Sequence, residues 1–233
     1  MKFHLPAALF VLLLTLSCKN ETKDTPEIKI EQKNEVISVP DATKEIFDVE
    51  KTELTKENVV PFLEWYGEKN KENKVLIETR LGNIELFLFD ETPLHRANFI
   101  YLTKRGYFNT TYFHRVVKNF IIQGGNSDEK ATSKFRKKIG RYLIPAEFDK
   151  SLKHHYGALA AARSWDDNPD KLSNPFEFYI IQNKNGSYHL DGEHTVFGKI
   201  VKGFDVLDAI GAQETDAGEY PLFNIEMKIS IIN

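Results

Sequence analysis

Cysteine is almost missing from this chain, with one residue, Cys18, among 233. A single thiol excludes any disulfide within the chain and any cysteine-built metal site. No apolar run reaches the ~20 residues needed to cross a bilayer core. Neither sign of charge dominates, and a formal balance of −3 gives no electrostatic reason to expect nucleic acid as a partner. Familiar catalytic motifs are missing too. There is no GxGxxG or GxxxxGKS/T to cradle a phosphate, no HExxH for zinc and no GxSxG elbow for a hydrolase. His154 and His155 are adjacent, so on a strand they point to opposite faces and cannot share a metal. Asp166 and Asp167 fall in a polar loop.

What remains is the composition of a soluble globular protein, 41% hydrophobic, 12% aromatic and 28% charged. At ~150 residues per domain the length allows one or two domains. The charge is unevenly spread. Residues 1–17 carry only Lys2, residues 18–58 hold seven Lys against eleven Asp or Glu, and the remainder is balanced.

Lys2 precedes a thirteen-residue apolar run from Leu5 to Ser17, the layout of a secretory signal peptide over 1–17. The segment Thr15-Leu16-Ser17-Cys18 resembles a bacterial lipobox, in which the cysteine is lipidated and becomes the new N-terminus. A plain signal peptide with a chance cysteine is the alternative. The lipobox reading places the protein in a bacterial cell envelope, exported and held on a membrane by its lipid, facing the periplasm or the exterior. Residues 18–71 read as a polar tether with too little apolar surface to offset chain entropy. A short helix is expected near 55–67, capped by Thr55, kept short by Pro61 and ended by Gly67.

The body, 72–233, is rich in short strand-like runs: 74–80, 84–90, 111–117, 120–123, 158–162, 176–182, 195–200 and 225–232. Two helices interrupt them. One starts at Thr92-Pro93, with threonine as N-cap and proline at N1, and closes at Gly106. The other covers 204–210 between Gly203 and Gly211. This order predicts a mainly β, closed or sandwich-like fold.

The unusual stretch is Tyr112-Phe113-His114-Arg115-Val116-Val117-Lys118-Asn119-Phe120-Ile121-Ile122-Gln123-Gly124-Gly125, two aromatic-rich strands carrying one arginine and one glutamine. Period two puts Phe113 and Arg115 on one face, so the guanidinium is expected beside an aromatic wall. A plain structural reading, an arginine stacked on an aromatic or salt-bridged at a barrel mouth, stands beside a functional one.

Phe113–Val116 followed by Phe120–Gly125 resembles the central signature of the cyclophilin-type peptidyl-prolyl isomerases. Further blocks keep that family's order: Asn98-Phe99, Ile144–Phe148, Gly157–Arg163, Phe176–Ile180 and His189–Lys199. The resemblance covers roughly 74–233. It implies a closed eight-stranded antiparallel barrel capped by two helices, acting as a monomer on X–Pro bonds of unfolded or folding polypeptides, without cofactor or metal. It gives Arg115 and Gln123 the catalytic positions. Phe113, Phe120, Ile121, Ala162, Arg163, Glu177, Tyr179, His189, Leu190 and His194 take the substrate-binding ones.

Several positions depart from the family pattern. Ile121 replaces a methionine and Tyr179 a phenylalanine, whose added hydroxyl must find a partner. Glu177 replaces a glutamine and brings an anion toward the groove. His189 replaces the tryptophan linked in that family to cyclosporin binding. The loop between Gly125 and Ile144 is shortened. Glu177 and Tyr179 leave a second reading open, a catalytically weak proline-peptide binding module or holdase.

Overall fold

The computed structural model describes residues 47–233. The signal segment, Cys18 and the tether up to residue 46 lie outside the described residues. Among the described residues no helix is long and apolar enough to cross a membrane.

The elements run β1 (Leu54–Thr55), α1 (Val59–Lys69), β2 (Lys74–Thr79), β3 (Gly82–Leu88), α2 (Pro93–Lys104), β4 (Tyr112–Val117), β5 (Ile121–Asn126), α3 (Lys130–Ile139), β6 (Gly140–Arg141), β7 (Ala158–Ala161), β8 (Phe178–Ile181), β9 (Val196–Lys202), α4 (Phe204–Gly211) and β10 (Lys228–Ile231). Eight strands form one antiparallel sheet in the order β10-β2-β3-β9-β7-β8-β5-β4. The sheet curls but does not close, contrary to the expected closed barrel. Its edges β4 and β10 share no ladder. They meet through one isolated bridge, Tyr112 to Glu226, and two backbone bonds, Phe113 N–H to the Ile225 carbonyl at 2.9 Å and Met227 N–H to that of Thr111 at 3.3 Å. Farther along, the Val116 N–H is taken by the Glu219 carbonyl at 2.9 Å. A loop rather than a strand therefore covers the exposed edge of β4.

Four α-helices are present among the described residues: the short one expected near 55–67, the two expected in the body, and one more, α3. The helix α2 starts as its sequence requires, with Thr92 before it and Pro93 in its first turn. Its first free N–H groups, those of Leu94 and His95, donate to the Glu147 carboxylate at 2.9 Å each. The helix α1 runs past Gly67. Pro61 falls in the first turn, where a missing N–H breaks no helical bond. Gly67 stays helical, and its missing side chain lets α2 approach closely, since a Cβ there would lie 3.1 Å from the Ala97 Cβ. The helix α3 was not expected and fills the shortened loop.

The folded unit also begins earlier than residue 72. Leu54, Phe62, Leu63 and Tyr66 are buried in the main core, and Phe47 and Trp65 pack against it. Phe62 meets the rings of Phe47 and Tyr101 edge-on at 5.4 and 5.1 Å. Burying a ring of this size contributes ~1.5–3 kcal/mol, so residues 47–71 help to hold the fold. The strand β1 pairs with β6 in parallel. Gly140 permits that approach, since at φ 130° a Cβ would fall 2.0 Å from the Leu54 carbonyl oxygen.

Strand alternation divides the apolar residues into two sets. Leu159, Ala161, Phe178, Ile180 and Ile122 face the main core. Their neighbours Ala158, Ala160, Tyr179, Ile181 and Ile121 join Leu190 and Val196 in a smaller cluster on the opposite face. That second cluster is the floor of the site.

Candidate active site

On the outer face of β5, β7 and β8 lies a cavity of about 400 Å³. Phe120, Ile121, Ala162, Tyr179 and Leu190 supply its apolar surface, Arg115 and Gln123 one lip, and Arg163, His189 and His194 the other side. Ten of the twelve catalytic and binding positions expected from sequence therefore converge on one hollow. His189 stacks on Phe120, ring centres 5.8 Å apart.

Phe113 is not among them. It is 1% exposed and meets Phe178 edge-on in the main core, at 6.1 Å. The cause is a bulge in β4. Phe113 lies opposite Gly124, but Arg115 lies opposite Gln123, so the extra residue His114 resets the alternation. Phe113 and Arg115 thus face opposite sides of the sheet, and the expectation of a shared face fails at that one inserted residue.

Glu177 is the second departure. It stands behind the lip and does not line the cavity. Its carboxylate takes the Gln123 Nε2 at 3.1 Å and the Arg136 Nη2 at 3.2 Å, and lies 3.7 Å from the His114 Nε2. Gln123 Oε1 in turn accepts from the Arg115 Nη1 at 3.4 Å. A polar chain thus runs from α3 through Glu177 and Gln123 to Arg115. Burial, against the pull of Glu177, keeps His114 below the usual histidine range.

Two residues at the site went unseen in the sequence. Glu219 accepts from the Arg115 Nε at 2.6 Å, the tightest contact the guanidinium makes. Its place is fixed locally, because Asp216 collects the N–H groups of Gly218 and Tyr220 at 2.8 and 3.0 Å and the Glu219 carbonyl is tied to β4. Trp165 joins the far wall. It lies under the Arg163 guanidinium at 4.2 Å and meets His194 edge-on at 5.2 Å. Arg163 itself is spent on Glu193, donating to its carbonyl at 2.6 Å and its carboxylate at 2.8 Å.

The added hydroxyl of Tyr179 is accounted for. It lies 3.0 Å from the Nε2 of His154, whose Nδ1 is 2.9 Å from the Asp191 carboxylate. Asp191 can only accept, so Nδ1 carries the proton and Nε2 accepts from the tyrosine. Burial keeps His154 below its ordinary pKa despite Asp191, which favours this neutral form. The hydroxyl is thereby turned into the protein, and the hollow keeps an apolar floor. Tyr179→Phe is expected to strand a buried acceptor on His154 and cost ~1–3 kcal/mol of stability, with little loss of site function because the ring remains. Urea unfolding of the variant beside the parent measures the difference.

His194 is held by an Nδ1–H donated to the Ala161 carbonyl at 3.0 Å, leaving Nε2 unprotonated. Burial pushes its pKa down to about 4.

Residues 74–230 match the family described as cyclophilin type peptidyl-prolyl cis-trans isomerase/CLD. The chain belongs to that family. Among its relatives, the Arabidopsis thaliana peptidyl-prolyl cis-trans isomerase CYP18-1 is 39% identical over 66% of this chain and 91% of its own length. The Acinetobacter baylyi peptidyl-prolyl cis-trans isomerase is 35% identical over 68% of this chain and 86% of its own length. A longer relative from Rhizopus delemar, the peptidyl-prolyl cis-trans isomerase-like 2, is 39% identical, but this chain spans only 29% of it. The crystal structure of a Cryptosporidium parvum cyclophilin-type isomerase, obtained in the presence of the dipeptide Ala-Pro, superposes with a TM-score of 0.57 at 29% identity, covering 69% of this chain and 99% of that one. This cyclophilin is a peptidyl-prolyl cis-trans isomerase, and its eight-strand curled sheet has the fold of the Cryptosporidium protein. Residues 47–73 precede the span matched by the family.

Proposed function

We propose that this isomerase turns X–Pro bonds of exported or envelope polypeptides in the 400 Å³ hollow, with Arg115 as the group that touches the reacting amide. The observation that carries the proposal is a guanidinium at the lip of an apolar recess. Glu219 and Gln123 occupy its Nε and one Nη1 proton, and Nη2 has no partner among the described residues. The envelope location rests on the signal-like run and the lipobox-like segment ending at Cys18.

The chemistry needs no bond to break. Amide resonance gives X–Pro rotation a barrier of ~18–20 kcal/mol. In the twisted transition state resonance is lost, the carbonyl is less dipolar and the proline nitrogen regains its lone pair. An apolar recess favours that state relative to water. A donor aimed at the nitrogen stabilises it and not the planar ground state, which is the condition for raising a rate. Phe120, Ile121 and Leu190 hold the ring, and Gln123, backed by Glu177, holds Arg115. That the Cryptosporidium protein was crystallised in the presence of Ala-Pro supports a proline-containing ligand in a fold of this kind. Glu177 and Tyr179, which favoured a mere binding module, are both engaged inside the protein.

Turnover of an Ala-Pro peptide by exchange NMR tests the proposal; a chain that binds the peptide without exchanging it would refute it. The same assay carries a pH prediction. Arginine does not titrate near neutral pH, and burial lowers the pKa of His114, His154 and His194, so kcat/KM is expected to be nearly flat between pH 6 and 8. Stability behaves differently. Unfolded histidine titrates near ~6.5, whereas folded His194 titrates at about 4. Between those values the unfolded chain binds more protons, so stability is expected to fall as pH drops from ~6.5 toward 4. Thermal melts across that range check the sign.

A further inference from the structure

The match to the cyclophilin family begins at residue 74, yet this chain folds a further segment against its body. The pairing of β1 with β6 brings the start of α1 beside the end of α3. Between them lies a groove of about 1000 Å³, separate from the proline hollow and sharing no lining residue with it. Val60, Leu143, Pro145 and Leu172 give it an apolar floor, and Leu143 is 46% exposed although it is a leucine. Lys56, Lys137 and Arg141 stand along it, and among the described residues no Asp or Glu does.

The charge continues beyond the groove. Lys130, Lys134, Lys137 and Lys138 follow helical i, i+4, i+7, i+8 spacing on the exposed face of α3, and Arg141 comes next on β6. Thr132, Phe135, Arg136 and Ile139 turn inward. None of those five exposed cations has an ion-pair partner among the described residues, while Arg136 on the inner face is spent on Glu177. A chain whose overall balance is −3 thus concentrates uncompensated positive charge beside an apolar trough.

We infer that the α1–α3 groove is a second polypeptide-docking site, which takes an extended segment carrying one or two bulky apolar residues flanked by Asp or Glu. The apolar side chains enter beside Leu143 and Val60, and the acidic ones meet Lys134, Lys137 and Arg141. The concavity favours a polypeptide over a flat lipid surface, since a bilayer cannot enter a trough. An apolar trough without the cations would accept any greasy segment, and the cations without a trough would attract any anion. Both together select for the combination. The site needs no proline, so it would hold a polypeptide independently of the hollow where isomerisation occurs.

The test uses the full chain and a fluorescein-labelled, proline-free peptide of Glu with two central Leu residues, read by anisotropy. The charge reversals Lys134→Glu, Lys137→Glu and Arg141→Glu, made together, are expected to weaken binding about tenfold or more, and raising salt to lower affinity in the parent. Leu143→Ser is expected to weaken it about fivefold. Ala-Pro turnover should be unchanged in both variants, which separates lost docking from lost folding and from any failure of the isomerase assignment. The inference is overturned if the peptide does not bind. It is also overturned if a Ser-for-Leu version binds equally well, which would mean diffuse charge attraction, or if the triple reversal leaves binding intact. Binding of the parent to phosphatidylglycerol vesicles but not to the peptide would overturn it in favour of a membrane surface.

Discussion

Arg115→Ala is expected to lower kcat/KM on an Ala-Pro peptide by about 10²–10³, the loss that follows when one charge-assisted donor worth ~3–4 kcal/mol in a preorganised site is removed. The protein should stay folded. The side chain is 38% exposed, and its ion pair with Glu219 is partly solvated, a setting in which such pairs contribute ~1 kcal/mol or less. Arg115→Lys is the sharper version. Lysine keeps the charge but is a point donor on a flexible stem, unable to reach Glu219 with one nitrogen while offering another to the substrate. It should lose nearly as much activity as alanine. Protease-coupled turnover beside a thermal melt separates the two effects, and a fully active Arg115→Ala protein would reject the mechanism.

The strands and the pocket floor were legible because they rest on period-two alternation and on short local blocks. Ile121, Ala162, Tyr179 and Leu190 each sit in such a block and converge on one face. The helix α2 was legible because Thr92-Pro93 is a local start signal. The bulge was not, because the sequence continues the alternation through His114 and only pairing with β5 reveals the extra residue. Open closure of the sheet depends likewise on which segment reaches the edge of β4, a choice made by chain far from it. The helix α3 did carry a signal: Thr132, Phe135, Arg136 and Ile139 stand at i, i+3, i+4 and i+7, a narrow inward stripe masked by its cations. Trp165 lies in a loop without periodicity, and 104 positions separate Glu219 from Arg115, so neither could be found by spacing.

Glu219→Ala is expected to lower kcat about five- to thirtyfold while changing KM less than about twofold, because orientation of a reacting group is lost and the pocket that holds the ring is untouched. The argument starts from the side chain itself. A free arginine carries ~2 kcal/mol of rotamer entropy. Gln123 holds Nη1 at 3.4 Å, near the limit of a hydrogen bond, whereas Glu219 holds Nε at 2.6 Å. The carboxylate is therefore the main restraint on guanidinium direction, and its own backbone is bound to the neighbouring strand residue Val116. A contact serving stability alone would leave kcat unmoved and shift only the melt. Glu219→Gln keeps an acceptor of the same reach without the charge and should recover most of the loss. The Arg115 Nε–H proton resonance gives an independent reading, moving upfield in Glu219→Ala as its carboxylate partner disappears. A rise in kcat in the alanine variant would show instead that Glu219 weakens Arg115 by neutralising it, and the positioning role would have to be given up.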